Sequence, residues 1–232
     1  PVALIYDYES AWAWDTQPQG ADFDMFRLTF AAYRALRKLG VNIDIIRADT
    51  RDLSAYKAVL APGLMRLSDE LRAALENYSG IALLGPRTDL KSAELSIPTP
   101  MGPNLPGVAI TSALSESMPP TDAIALKGGG EFRHWFEHLE GVGEVYLETA
   151  KGEPAIIGSK TIRYLAGWPE DETFIVVLRD LMAEVEVTTQ TLPRGVRIRD
   201  TETHRFVFNY APEAQTWNGV EIPAAGVHWE QL

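Results

Sequence analysis

Cysteine is absent from the 232 residues, which excludes disulfides, thiolate nucleophiles and cysteine-based zinc sites. The absence fits a reducing cytoplasm, the expected location. Positive charge is scarce too: 21 Lys and Arg stand against 32 Asp and Glu, a formal charge of −11. A nucleic-acid or anionic-lipid surface needs concentrated Lys and Arg, so neither partner is expected. No apolar run is long enough to span a bilayer, and no signal-peptide pattern is visible. There is no Gly-x-Ser-x-Gly elbow, no Gly-x-Gly-x-x-Gly fingerprint and no Walker loop; Gly128-Gly129-Gly130 lacks the preceding strand and following Lys that phosphate binding requires. No cofactor is expected. An initiator Met is also missing, and Pro1 stands directly before an apolar run, which reads as a cut made at a domain boundary.

The hydrophobic content of 46% and charged content of 23% are those of an ordinary globular chain, long enough for one large domain or two smaller ones. Val2 to Tyr6 is a short continuous apolar run, the mark of a strand buried on both faces. Asp22 to Leu39 reads as a helix, with Asp22 as its cap, Phe26, Phe30, Tyr33 and Leu36 as its apolar stripe, and Gly40 as its left-handed end. Val41 to Ile46, Lys57 to Ala61 and Ile81 to Leu84 read as strands, and Ser68 caps a second helix reaching about Tyr78. This alternation predicts a parallel sheet of flavodoxin-like or class I glutamine amidotransferase-like α/β type. Between Thr88 and Pro120 the pattern is lost among prolines. Glu144 to Thr149, Pro154 to Gly158 and Lys160 to Ala166 form a meander, followed by a helix with Pro169 at its first position and Phe174, Val177, Leu178, Leu181 and Val185 inward. After Leu192-Pro193, short strands with tight turns predict a small antiparallel β domain. The division expected is 1–187 for the α/β domain and 193–232 for the β domain.

Three constellations invite a functional reading. Trp12 and Trp14, spaced by two, would share one face of an extended loop; they can stack on a sugar, sit in an oligomer interface or pack within the domain. Asp7 and Glu9 leave one strand end and Arg87 and Asp89 another, where α/β proteins bind ligands. They could form a polar cleft for a small molecule, against the plainer reading of loop-anchoring ion pairs. His134-Trp135-Phe136-Glu137-His138 matches the inverted zinc-protease pattern, but it is short, has no marked third ligand and does not sit in a long helical stretch; packing of Trp135 and Phe136 is the favoured reading, and no metal is expected. Trp217 and Trp229 read as core of the small β domain.

The run Tyr8-Glu9-Ser10-Ala11-Trp12-Ala13-Trp14, then Gln17-Pro18-Gln19-Gly20, Phe26-Arg27 and Tyr33-Arg34-Ala35-Leu36, resembles the start of the trimerisation domain of family 42 β-galactosidases. The likeness continues through Leu60-Ala61-Pro62 and Leu84-Gly85-Pro86-Arg87, and is looser after about Gly107. It implies the non-catalytic C-terminal part of a longer enzyme that hydrolyses terminal β-galactosides with retention on a (β/α)8 barrel. It assigns no catalytic residue to this chain. It also implies a homotrimer in which this domain meets its own barrel and neighbouring subunits and helps to wall the active site. Tyr8, Trp12, Trp14, Gln17 and Gln19 are the contact residues so implied, with His134, Trp135 and Phe136 as a second candidate patch.

Overall fold

The computed structural model describes residues 1–16 and 22–232, with Ser112 described by its backbone alone. The chain begins with β1 (Val2–Ile5), α1 (Tyr8–Thr16), α2 (Met25–Lys38), β2 (Asp44–Ile46), β3 (Ala58–Ala61), α3 (Asp69–Glu76) and β4 (Ile81–Leu84). Every residue of β1, β3 and β4 is buried, as a parallel sheet covered on both faces requires. These strands pair in parallel in the order β2-β1-β3-β4. Ser68 caps α3 by accepting from the Leu71 amide at 3.2 Å, and Gly40, at φ +74°, ends α2 in the left-handed conformation that glycine adopts without strain.

Two details of α2 depart from the sequence reading. Its cap is Asp24, which accepts from the Arg27 amide at 2.7 Å; Asp22 instead meets the ring of His134. Its buried side is built on Met25, Leu28, Ala32, Ala35 and Leu36, while Phe26 and Phe30 are exposed. The helix is apolar on two sides, and the smaller side chains face the sheet because they permit close approach.

Beyond β4 come β5 (Asn104–Leu105), β6 (Val108–Ser117), β7 (Ile124–Ala125), β8 (Glu131–Val142), β9 (Glu144–Glu148), β10 (Pro154–Gly158), β11 (Ile162–Leu165), β12 (Gly167–Pro169) and α4 (Asp171–Glu184). β11 lies parallel to β4, and β10 and β9 extend the first sheet antiparallel to give β2-β1-β3-β4-β11-β10-β9. A second sheet has the order β12-β8-β6-β5, with β7 against β8. The stretch after Thr88 is therefore less irregular than expected, since β6 runs for ten residues within it. Pro169 closes β12 rather than opening α4, which Glu170 caps by accepting from the Glu172 amide at 2.9 Å.

The remaining strands are β13 (Val196–Asp200), β14 (His204–Asn209), β15 (Gln215–Trp217), β16 (Val220–Ile222) and β17 (Val227–Gln231), all antiparallel. Val196, Ile198, Val207, Trp217 and Ile222 form a buried cluster separate from the main core. Trp217 thus sits where expected; Trp229 does not, being 59% exposed on the opposite face of β17. The fold is mixed α/β with additional small antiparallel sheets.

Candidate functional site

Asp7 starts α1: its backbone carbonyl takes the Ala11 amide at 3.1 Å and its side chain takes the Ser10 amide at 2.8 Å and the Ser10 hydroxyl at 2.6 Å. Trp12 and Trp14 therefore lie on a helix, where two residues apart means roughly 200° around the axis. The extended-loop reading is corrected accordingly, and the two rings diverge. Trp14 is buried with its indole nitrogen on the Gly63 carbonyl at 3.1 Å. Trp12 is 64% exposed and meets Tyr8, one helical turn earlier, at a ring separation of 6.4 Å. Of the other residues in this group, Gln17 and Gln19 lie outside the described residues.

Tyr8 and Trp12 join an aromatic face that the spacing did not reveal. Tyr8 packs edge-on against Tyr6 at 5.2 Å and Tyr6 against Phe26 at 6.4 Å. Phe26 stacks on Phe30 at 5.8 Å, and Phe30 on Tyr33 at 6.1 Å. Tyr8, Trp12, Phe26 and Phe30 are between 45% and 67% exposed. These rings form one contiguous exposed aromatic patch. The signal was in the sequence as the run Phe26, Phe30, Tyr33, but helical spacing states only that residues share a side, not which side faces the sheet.

The four polar cleft candidates are not brought together. A cavity of about 640 Å³ at the ends of β1 and β2 is lined by Asp7 and Glu9 with Trp12, Arg47 and Arg66, but not by Arg87 or Asp89. Glu9 forms an ion pair with Arg66. Asp89 is buried, holding Arg72 at 2.9 Å and the Asn104 amide at 2.9 Å. Arg87 turns inward, its guanidinium 4.9 Å from the Trp14 ring and 5.2 Å from that of Trp135. Its Nε and Nη1 have no hydrogen-bond partner among the described residues, and burial lowers its pKa to about 10.

The His134 to His138 segment belongs to strand β8 and not to a helix. Trp135 and Phe136 are core residues, so the patch presents no exposed aromatic ring. The His134 ring meets Asp22 at 2.8 Å, and that of His138 is held between Glu116 and Glu153 at 2.9 Å each. Burial depresses the His138 pKa, but the bonds to both carboxylates outweigh it and leave the group above the ordinary histidine value. Glu137 is fully buried and accepts from the Arg87 amide at 3.0 Å, the Trp135 indole at 3.2 Å and the Tyr164 hydroxyl at 2.7 Å. Burial raises its pKa to about 7 against these three bonds. This network lies in the core behind Trp14 and was not foreseen from sequence. Tyr164 and Arg87 lie 27 and 50 positions from Glu137 in the chain.

Fold and surface thus define a mixed α/β module that turns aromatic rings outward. The family described as the β-galactosidase trimerisation domain matches residues 1–188. A β-galactosidase of a Thermus species is 35% identical over 229 residues, covering 97% of this chain and 35% of the relative. A β-galactosidase of Halorubrum lacusprofundi is 32% identical over 244 residues, covering 92% of this chain and 35% of the relative. The crystal structure of a β-galactosidase from Marinomonas ef1 superposes with a TM-score of 0.91 at 27% identity, over 98% of this chain and 37% of that one. This chain belongs to the β-galactosidase trimerisation domain family of glycoside hydrolase family 42. It spans about a third of the length of these relatives. No described helix is long and apolar enough to cross a membrane.

Proposed function

We propose that this chain is the non-catalytic trimerisation and C-terminal region of a β-galactosidase whose complete form hydrolyses terminal β-D-galactosides with retention. Its partners are its own catalytic barrel and the neighbouring subunits of a homotrimer; nucleic acid and membrane are not among them. The observation that carries the reading is the exposed aromatic face of Tyr8, Trp12, Phe26 and Phe30 on a chain of this family. Aromatic residues are enriched at protein interfaces and dominate their energetics. Trp12 is the anchor within the α1 group, and Trp14 supports it from the core.

Finer points follow from the same proposal. The parallel strands β2-β1-β3-β4-β11 support a flavodoxin-like sheet, whose order is 2-1-3-4-5. Two separate buried clusters support a division into 1–187 and 193–232. The lack of cysteine supports a cytoplasmic setting. The alternative of a stand-alone small-molecule module using the Asp7, Glu9, Arg87 and Asp89 cleft is not supported, because two of the four side chains lie outside the cavity that holds the others.

The direct test assays this chain alone, folded by circular dichroism, on a chromogenic β-galactoside. No turnover is expected, whereas turnover comparable to that of a complete enzyme would overturn the reading.

A further inference from the structure

Arg37, Arg197 and Arg199 meet in one groove of about 560 Å³ between the C-terminal end of α2 and the outer face of the small sheet. In a chain with eleven excess negative charges, none of the three makes a salt bridge among the described residues. The nearby carboxylates are engaged elsewhere: Asp171 holds Arg34 at 2.7 Å, and Asp200 holds Arg205 at 2.8 Å.

The three guanidiniums are held in different ways. Arg37 is 8% exposed and forms part of the floor, donating to the carbonyls of Val41 at 2.8 Å and of Ile198. Arg197 and Arg199 stand two residues apart on β13, on the face opposite buried Val196 and Ile198. Arg197 donates to the Val196 carbonyl at 2.6 Å. Arg199 is exposed and makes no side-chain hydrogen bond among the described residues. The charges also act on one another. Burial lowers the Arg37 pKa and Arg199 lowers it further; burial and then Arg37 lower that of Arg197.

The walls are aromatic. Phe208, on the outer face of β14, and Tyr210, just past its end, stack at 6.0 Å, and Tyr33 of α2 lines the same groove. Concentrated like charge without a counter-ion is unfavourable unless an anion neutralises it. The geometry points to an oxyanion-binding site here, taking a small carboxylate or phosphate compound whose charge meets Arg197 and Arg199 and whose apolar part lies against Tyr33 and Phe208. A groove of this size is in the range of small-ligand sites, and guanidinium forks suit both anions. The groove shares Phe30 and Tyr33 with the end of the aromatic face proposed for subunit contact, while its arginines lie outside that face.

The test is calorimetric titration of the complete protein with inorganic phosphate and with citrate at low ionic strength. Saturable binding is expected for at least one of them, weakened about tenfold or more by Arg197→Gln with Arg199→Gln, as loss of charge-assisted bonds implies. Arg199→Gln alone, at an exposed side chain, gives a milder loss, with its fold checked by circular dichroism. Arg51→Gln, on a distant exposed arginine, leaves binding unchanged. Absence of saturable binding, or equal binding in the double variant and wild type, overturns the proposal. So does a double variant that alters the sedimentation mass of a protein that never binds either anion, because the groove then holds the carboxylates of a neighbouring chain.

Discussion

The indole nitrogen of Trp14 donates to the carbonyl of Gly63 at 3.1 Å, and this bond fixes which side of α1 faces the sheet. Phe23 packs on the same indole at 4.3 Å, and the Arg87 guanidinium lies 4.9 Å from it. Trp12, on the other side of the helix, is left to solvent or to a partner. The two tryptophans therefore separate experimentally. Trp14→Ala should cost about 3–5 kcal/mol of stability, as truncation of a buried aromatic does. Trp12→Ala should change it by no more than about 0.5 kcal/mol, as surface substitutions do. Urea unfolding of both variants checks the contrast, and equal losses would contradict it.

The start of α2 gives a second contrast. Asp24→Ala removes the cap on the Arg27 amide and should cost about 1 kcal/mol. Asp22→Ala removes only the partly exposed partner of His134, an interaction of the kind worth at most about 1 kcal/mol and often nothing. Amide hydrogen exchange discriminates between them: protection of the first turn of α2 should fall in Asp24→Ala and persist in Asp22→Ala.

Glu137 makes stability depend on pH. Its folded pKa, about 7, stands above the ordinary value of 4.5 because the carboxyl is buried. The folded state therefore holds the proton more tightly than the unfolded state. That contribution is complete below the unfolded pKa and is lost as pH rises from there through about 7. Glu137→Gln, which keeps an acceptor for the Arg87 and Trp135 N–H groups, should flatten the fall in melting temperature between acidic and neutral pH. An unchanged slope would show that Glu137 is not its source.

His138 contributes in the same direction at the surface. Its pKa stays above the ordinary histidine value because the bonds to Glu116 and Glu153 outweigh desolvation, so its stabilisation is present in acid and lost as pH rises through the folded pKa. An NMR titration should place the His138 ring above a model histidine, and Glu153→Gln should lower it. No movement on that substitution would remove the assigned cause.

Much of the first sheet was legible because β1, β3 and β4 are short apolar runs bounded by turn residues, a pattern few other elements produce. The ends of α2 were nearly legible too, but its orientation was not: Phe26, Phe30 and Tyr33 make as good a stripe as Leu28, Ala32 and Leu36, and only the sheet beneath decides between them. Trp-Ala-Trp suggested an extended loop, although Asp7 before Ser10 and Tyr8 before Trp12 carry the helical signals of a cap and a one-turn pair. β6, rich in Ser, Thr and Ala, has too little apolar contrast to stand out. Buried Glu137 is invisible in sequence because its bonding partners are assembled only by the packing of β4, β8 and β11.

The most direct test of the central claim is the sedimentation-equilibrium mass of the complete protein, wild type against a Trp12→Ala, Phe26→Ser, Phe30→Ser variant whose folding is confirmed by circular dichroism. The account predicts a trimer for the wild type and dissociation toward monomer for the variant. A variant that remains fully trimeric at the same concentration would contradict it.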